Sequence, residues 1–328
     1  MPRNERWGEE YGETLHDEWV GGDYFRSMSF AMGVVPFEDY KSIKKMNAST
    51  LVHGLKSMRR LKRYLDGEQT SESDAMRLGT AIHCAVLEPE KFASQYAVMP
   101  NFSQDEENVT DKGQRSYSAA TKYVKQCQEE WRCRNGDKIE LDAWEYATCN
   151  RVFESIRECP HIVDMLNKSD KEQTFEGVIC GVECKGRVDF ISNIIGDLKT
   201  TTSVETRAFS RVFFNLEYGF RLAFYRELVR QNRGDLPVVI LAVETSGDFD
   251  RCLYRVPDEL LDYSMEQVNL VLMQYRMCLD SGLWPGVDKG FDAVDFPVPS
   301  WAMKADLDWS HMENEGVEQT SEEVEQVF

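Results

Sequence analysis

The chain of 328 residues lacks the features that mark secreted, membrane and zinc-binding proteins. Its nine cysteines form no CxxC pair, and the closest pairs, Cys180/Cys184 and Cys127/Cys133, do not have the spacing of zinc ligands. No apolar run is long enough to cross a bilayer, and residues 1–25 are acidic, without the apolar centre of a signal peptide. We therefore expect reduced thiols and a cytoplasmic protein.

Basic residues are also scarce. The chain has 38 Lys and Arg against 57 Asp and Glu, which gives a net charge of −19 and argues against nucleic acid as a ligand. The acids are concentrated at the two ends, however, with eight in residues 305–328, where no Lys or Arg occurs, and a net charge of −5 in residues 1–25. Residues 56–63 read KSMRRLKR and carry five bases in eight positions. The total charge is thus compatible with a local basic surface that binds DNA.

The order of predicted elements is helices, then three strands, then helix, strand and helix. This order indicates an α/β (α+β) domain with a central mixed sheet flanked by helices. Helical spacing of apolar residues predicts single helices over 47–66, 73–88, 140–167, 206–232 and 258–281. The strands are predicted at QTFEGVIC, VECKGRVDFI, IIGDLKTT and LPVVILAVET, with tight turns at Gly181 and at Ser192-Asn193.

Three regions are expected from composition. Residues 1–36 have no clear period and are predicted to form an irregular arm. Residues 37–300 contain all the predicted elements and form the domain. Residues 301–328 are acidic and are expected to be a disordered tail.

Two acids and a lysine stand on neighbouring predicted strands. Asp189 and Asp197 are separated by seven residues across one turn, so antiparallel pairing would bring them to one edge of the sheet. Asp197 and Lys199 alternate with Leu198 and therefore share a face of their strand. A pair of carboxylates beside a lysine is suited to holding a hard divalent cation and activating a water. His83 lies on a predicted buried helix, where a lone histidine is more often a core residue than a ligand.

The motifs resemble those of a known superfamily. In order, the chain has NASTLVHGLK, LGTAIHCAVLEPEKF, KGRVD and DLKTT, followed by a helix with a tyrosine. This series resembles the PD-(D/E)XK nucleases, and within them the RecE-like exonucleases related to lambda exonuclease and the RecB nuclease domain. The resemblance covers about residues 37–280 and implies a restriction-endonuclease-like core.

The resemblance also implies roles for individual residues. Its metal ligands would be His83, Asp189, Asp197 and the backbone carbonyl of Leu198, with Glu172 as a further acid near the site. Lys199 would hold the attacking water, and Tyr225 matches the tyrosine of the helix that follows.

One position departs from the family. Arg221 stands where the family has glutamine, and it could either bind a DNA phosphate or crowd the metal. The basic segment offers Lys56, Arg59 and Arg60 as further DNA contacts, although a solvated basic face would look the same in sequence.

The function implied by the resemblance is that of a phosphodiesterase, an exodeoxyribonuclease that uses one or two Mg²⁺ or Mn²⁺ ions. It would digest linear double-stranded DNA from the 5′ end and leave 3′ single strands for recombination, in a bacterial or phage-infected cell. A ring-shaped homo-oligomer, trimer or tetramer, and a single-strand annealing protein are the expected partners. No iron–sulfur cluster is expected, because only Cys252 and Cys278 follow Lys199.

Three other functions stay open at the level of sequence. A structure-specific or single-strand endonuclease could use the same residues. A catalytically decayed subunit could bind DNA ends without cutting, with Arg221 as the sign of decay. An inhibitor that mimics DNA is suggested by the charge of −19 alone.

Overall fold

A five-stranded mixed sheet lies at the centre of the computed structural model, which describes residues 35–68, 73–110, 112–289 and 293. The strands of the described part are Tyr96–Val98 (β1), Ile139–Leu141 (β2), Asp170–Ile179 (β3), Val182–Ile191 (β4), Ile195–Thr201 (β5), Val238–Glu244 (β6) and Arg251–Val256 (β7). The central sheet has the order β3-β4-β5-β6-β7, and its neighbours are antiparallel except β5 and β6, which are parallel. Together with the helices on both faces, this sheet confirms the α/β (α+β) class.

Helices make up most of the remaining described residues. They span Phe37–Ser42 (α1), Ala48–Leu51 (α2), Met58–Leu65 (α3), Asp74–Leu87 (α4), Pro89–Gln95 (α5), Lys122–Asn135 (α6), Ala143–Arg157 (α7), Pro160–Asn167 (α8), Thr206–Asn215 (α9), Tyr218–Arg233 (α10) and Asp258–Ser281 (α11), with 3₁₀ turns at Val52–Leu55 and Phe102–Gln104. None of the helices in the described ranges is both long and apolar enough to span a membrane.

Strand β6 is apolar at successive positions, without the alternation of polar and apolar residues, because both of its faces are buried. Val238, Ile240 and Ala242 belong to one hydrophobic core, which contains residues of α10 and α11. Val239, Leu241 and Val243 belong to a second core on the other face, which contains residues of α4, α7 and α8. A strand covered by helices on both faces has no polar side, so every position can be apolar. The sheet therefore separates two cores.

The hairpin of β3 and β4 is the local unit that carries the KGRVD motif. Ile179 pairs with Val182, and the two residues between them, Cys180 and Gly181, have φ values of 48° and 74°. Positive φ at both central residues is the geometry of a type I′ turn, which matches the twist of the two strands. The turn predicted at Gly181 is confirmed.

Two helices predicted as continuous are broken. The helix predicted over 206–232 ends at Asn215, and α10 begins at Tyr218 after Glu217, whose φ of 55° is left-handed. The edge-to-face contact of Phe213 with Tyr218, with ring centroids 6.1 Å apart, joins the two helices across this break. The change of direction turns Tyr218 toward β5, a position that a straight helix would not give it.

The predicted helix over 47–66 is also in pieces. Asn47 caps α2, as expected, but a 3₁₀ turn follows, and Ser57 caps α3 separately. Gly54 lies in the 3₁₀ turn, and a Cβ built there would stand 2.4 Å from Cγ1 of Val271 in α11. Close packing against α11 thus occurs at the turn that interrupts the helical pattern.

Two further predictions need correction. The helix predicted over 140–167 is divided before Pro160, and Leu141 belongs to the short strand β2, which pairs in parallel with β1. Strand β7 was not predicted at all. It is the edge strand of the sheet, and only Val256 of its six residues is buried, so its apolar pattern is weak. The arm expected over residues 1–36, except Val35 and Pro36, and the tail expected over 301–328 lie outside the described residues.

Gly196 gives a test of the packing between β4 and β5. It pairs with the fully buried Phe190, and a Cβ at this position would stand 1.8 Å from Cε2 of that ring. We expect Gly196→Ala to lower the free energy of unfolding by about 1–3 kcal/mol, because the ring has no room to move. Chemical denaturation measures this difference.

The control is the same substitution in a Phe190→Leu background. The smaller side chain removes the clash, so the cost of Gly196→Ala should be smaller there than in the wild type. An equal cost in both backgrounds would show that the ring is not the obstacle.

Candidate active site

The site opens where β4 and β5 part from each other. Their pairing consists of Phe190 with Gly196 and Ile191 with Ile195 only. Beyond these pairs, the carboxylate of Asp189 accepts a hydrogen bond of 2.7 Å from the backbone N–H of Leu198. A side chain thus replaces the backbone partner that continued pairing would have supplied. The gap between the strands holds Asp189 of the KGRVD motif and Asp197 of the DLKTT motif.

Three side chains in this gap could share one cation. His83, Glu172 and Asp189 each offer a ligand atom, and these atoms all lie within 4.8 Å of one another. Nδ1 of His83 is 3.6 Å from Oδ2 of Asp189. Within the described residues, this is the one group of three or more such side chains with this spacing. An imidazole with two carboxylates is a donor set that fits a divalent cation.

His83 reaches the gap because α4 packs closely on β5. Gly79 stands one turn before His83, and a Cβ there would be 3.4 Å from Oγ1 of Thr200. A larger side chain would push this turn away from the strand. The helix is capped by Ser73, whose Oγ accepts from the N–H of Met76. His83 is therefore not a residue of the closed core, since its side chain keeps 27% of its surface exposed.

Glu172 occupies the position opposite Asp189, between the pairs Lys171–Phe190 and Gln173–Val188. Its φ of 53° is uncommon for a residue with a side chain. Burial and the charge of Asp189 raise the pKa of Glu172 to about 7, and the nearby Arg187 offsets this only in part. Two crowded carboxylates without enough counter-charge are what a bound cation would relieve.

Arg187 is a contact that the sequence reasoning missed. Its Nε donates to Oε2 of Glu172 over 2.5 Å, and its Nη1 donates to the carbonyl of Val35 over 2.8 Å. The signal was present in the motif, because Arg187 stands two residues before Asp189 and so shares its strand face.

Asp197 and Lys199 form a buried ion pair. Nζ of Lys199 is 2.5 Å from Oδ2 of Asp197, and Nζ also donates to the carbonyl of Leu198 over 3.2 Å. Burial raises the pKa of Asp197 despite the lysine. Burial lowers the pKa of Lys199, but the charges of Asp197 and Asp189 outweigh it, so the net pKa is raised and the amine stays charged.

Asp197 lies outside the group formed by His83, Glu172 and Asp189, although its charge interacts with His83 and Asp189. Its Oδ2 is buried and, in the part of the chain that is described, accepts no bond of hydrogen-bond geometry besides the ion-pair contact. A buried carboxylate oxygen with spare acceptor capacity is suited to a further metal contact. The residues present therefore fit a divalent cation.

Helix α10 places Tyr218 and Tyr225 beside this pair. The Tyr218 ring lies 5.5 Å from Nζ of Lys199. Tyr225 packs over Gly186, where a Cβ would stand 2.9 Å from its ring. Burial, and next the charge of Asp197, raise the pKa of Tyr225, so its hydroxyl stays protonated. Tyr225 can thus donate a hydrogen bond but cannot act as a base.

Cations without acidic partners lie next to the site. The Nε of Arg221 is buried and has no hydrogen-bond partner among the described residues. Burial, and next the charges of Arg60, Arg221 and Lys56, lower the pKa of His53, which places these cations around one histidine. His53 stacks on Tyr64 with ring centroids 3.5 Å apart, and the sequence reasoning did not single it out.

The basic segment of α3 has the same character. Neither Lys56 nor Arg59 nor Arg60 has an ion pair in the described ranges of the chain. The guanidinium of Arg60 lies 5.8 Å from the centre of the Tyr64 ring. Lys62 and Arg63, by contrast, pair with Asp66 and Glu68. The part of the segment nearest Arg221 is thus the part that is left without counter-charge.

The raised pKa of Glu172 predicts a pH dependence of stability in the metal-free protein. In the unfolded chain the group has its ordinary pKa of 4.5, and in the folded chain about 7, so the folded state holds more protons between these values. The free energy of unfolding should therefore fall by up to roughly 3 kcal/mol as pH rises through this window. Thermal unfolding in EDTA measures it, and Glu172→Gln should flatten the slope.

Glu176→Gln serves as the control, because Glu176 lies on the same strand and pairs with Lys45 at the surface. This variant should keep the wild-type slope. Identical slopes for wild type and Glu172→Gln would show that Glu172 titrates normally in the folded protein.

Comparison with known proteins agrees with this picture of the fold. Among solved structures, the chain is similar to a presumed exonuclease from Eubacterium rectale, with a TM-score of 0.53 and 16% identity, over 85% of this chain and 100% of that one. A phage-related exonuclease from Haemophilus somnus gives a TM-score of 0.29 at 15% identity, over 50% of this chain and 85% of that one. No curated protein matches the sequence.

The match to a family model is more extensive. Residues 40–293 match the model of a PDDEXK-like domain of unknown function (DUF3799). PDDEXK-like domains are nuclease domains that generally depend on a divalent metal, which supports hydrolysis of phosphodiester bonds as the class of activity. The resemblance of the GTAIH, KGRVD and DLKTT motifs to the PD-(D/E)XK superfamily is thereby confirmed. Because the match covers most of its length, the chain belongs to the family of PDDEXK-like domains.

Proposed function

We propose that the protein is a Mg²⁺- or Mn²⁺-dependent DNA exonuclease that digests linear double-stranded DNA from the 5′ end and leaves 3′ single strands for recombination. The observation that carries the proposal is the group of His83, Glu172 and Asp189 beside the Asp197–Lys199 ion pair. The direction of digestion follows from the resemblance of the motifs to RecE-like exonucleases.

The proposed ligands of the cation are His83, Asp189, Asp197 and the carbonyl of Leu198, with Glu172 as a further ligand. Such an ion lowers the pKa of a coordinated water and neutralises charge on the phosphate. The ligand atoms of His83, Glu172 and Asp189 lie within 4.8 Å of one another, which suits one ion, and the resemblance implies one or two. Arg187 positions Glu172 through their contact of 2.5 Å.

Lys199 acts as a cation in this proposal. Its raised pKa keeps the amine charged at neutral pH, so it orients the attacking water and stabilises the charge that develops on the phosphate, rather than accepting a proton. Asp197 holds the amine in place over 2.5 Å. The neutral hydroxyl of Tyr225 is a hydrogen-bond donor on the same side of the site.

DNA phosphates are proposed to bind to Lys56, Arg59, Arg60 and Arg221. These cations lack ion pairs in the described residues, and a phosphate would supply the missing counter-charge. The Nε of Arg221 is buried without a hydrogen-bond partner among the described residues, so this guanidinium has donor capacity left over for a phosphate. Arg221 is therefore proposed as a phosphate contact and not as a sign of decay.

A ring-shaped trimer or tetramer and a single-strand annealing partner complete the proposal, in the cytoplasm of a bacterial or phage-infected cell. One surface supports assembly with further chains. Helix α11 leaves Tyr263, Leu270, Met273 and Met277 exposed at successive spacings of seven, three and four residues, a pattern suited to packing against another helix.

A digestion time course tests the activity. Linear duplexes labelled at the 5′ or at the 3′ end are incubated with the protein and Mg²⁺, and we expect 5′ label to be released as nucleotides while 3′ label stays in long strands. EDTA should abolish release. Cutting of a covalently closed circle would instead identify an endonuclease.

Two variants check that the proposed residues are responsible. Lys199→Ala should lower the rate by a factor of about 10² or more, because one charged group that stabilises the transition state is lost. Glu183→Gln on β4 is the matched control, since its side chain is 72% exposed, and it should leave the rate unchanged. End binding without nucleotide release, even in Mn²⁺, would favour a decayed DNA-end-binding subunit.

Arg221→Gln tests the phosphate contact. We expect weaker binding of duplex ends and a slope of log K against log salt concentration that is smaller by about 0.9, the value for one phosphate contact. Arg230→Gln is the control, because Arg230 lies on the same helix and pairs with Glu227. Unchanged DNA affinity with a faster rate would mean that Arg221 crowds the site.

A further inference from the structure

Helix α9 carries a surface that the proposed site does not use. Arg207, Ser210, Arg211, Phe214 and Asn215 line a shallow, open surface along the helix. We refer to these five residues as the α9 face. The opposite side of the helix is core, where Phe209 and Phe213 are buried. All five residues of the α9 face are exposed.

An aromatic ring is presented on this face. Phe214 is 60% exposed, although a single exposed hydrophobic residue is ordinary by itself. Its position is fixed by an edge-to-face contact with the buried Phe213, with ring centroids 5.3 Å apart and an angle of 76° between the planes. The ring is thus held against the core by its neighbour while more than half of its surface faces solvent.

Two arginines flank the ring without acidic partners. Arg207 and Arg211 are one helical turn apart, and neither has an ion pair in the portion of the chain that the structure describes. The nearest acid, Glu205, is engaged as the cap of the helix, where its carboxylate accepts from the N–H groups of Arg207 and Ala208. The charge of Glu205 acts on both arginines, but it forms an ion pair with neither in the described residues, so both guanidinium groups can bind an anion.

Helix α9 follows the strand that carries Asp197 and Lys199. Only four residues separate Thr201, the end of β5, from the start of α9 at Thr206. Phe213 contacts both Phe214 and Tyr218, and the Tyr218 ring lies 5.5 Å from Nζ of Lys199. Because Phe213 is buried, these contacts join the α9 face to the site through the core of the protein.

We propose that the α9 face binds single-stranded nucleic acid, with a base stacked on Phe214 and neighbouring phosphates bound by Arg207 and Arg211. Stacking on an exposed ring favours an unpaired base, because inside a duplex the bases already cover each other's faces. Cations without partners select a polyanion over an uncharged protein surface. The inference rests on the proposed function, and it assigns to this face the unpaired strand that the reaction consumes or produces.

Binding of a fluorescent oligothymidylate in EDTA tests the proposal without cleavage. Phe214→Ala should weaken binding about tenfold and leave the salt slope unchanged, whereas Phe214→Trp should retain the affinity. Arg207→Ala with Arg211→Ala should reduce the slope by about 1.4, the sum for two contacts to a single strand. Trp144→Ala is the matched control, since Trp144 is also 60% exposed but lies on α7, and it should bind like the wild type.

Wild-type affinity in Phe214→Ala, or an unchanged slope in the arginine variant, would overturn the proposal. A change in oligomer mass in Phe214→Ala with unchanged affinity would identify the face as a protein interface and also overturn it. The two proposals can fail separately. If the protein binds oligothymidylate through Phe214 but releases no nucleotides in Mg²⁺, the proposed nuclease activity is refuted, whereas the proposed role of the α9 face stands.

Discussion

Mutual repulsion of buried carboxylates is the constraint on which the site depends. Glu172, Asp189 and Asp197 are brought together where water is largely excluded, and burial raises the pKa of Glu172 and Asp197. The chain offsets this with one strong contact for each acid. Arg187 binds Glu172, the Leu198 N–H binds Asp189, and Lys199 binds Asp197. After these contacts, the carboxylate oxygens can still accept further bonds. The three acids can therefore bind a cation, and their present partners stabilise them when no cation is bound.

The parting of β4 and β5 makes this crowding possible, and small residues around the gap hold it in shape. Gly196 lets Phe190 fill the space below the acids, while Gly186 lets Tyr225 lie against β4. Gly79 lets α4 approach β5 so that His83 reaches Asp189. Gly186 and Gly196 stand at places where a side chain would separate two elements that both contribute to the site. The geometry of the carboxylates therefore depends on packing at positions that carry no chemistry.

Much of this could be predicted from the sequence, because the motifs are local and the strands that carry them are regular. The turn at Gly181, the strand face shared by Asp197 and Lys199, and the cap of α4 at Ser73 all follow from neighbours in the chain. The break at Glu217 could not be predicted, since apolar spacing continues through it and only the contact of Phe213 with Tyr218 accounts for the new direction. Strand β7 was missed because an edge strand with few buried residues has little pattern.

Roles in the site are harder to predict than positions, because they depend on which charges find partners in three dimensions. In sequence, Lys62 and Arg63 look the same as Arg59 and Arg60, yet only the first two have acidic partners in the described residues. The same division runs through the whole protein. Lys199 and Arg187 are bound to acids of the site, whereas Arg59 and Arg60 of α3, Arg207 and Arg211 of α9, and Arg221 are left without ion pairs in the described part of the chain. A protein with a charge of −19 can bind a polyanion under one condition, which is that its own acids do not neutralise the cations that face the ligand. A count of charges along the chain does not show whether this condition holds. The ion pairs of the folded structure do show it, because they leave these cations without acidic partners in the described residues.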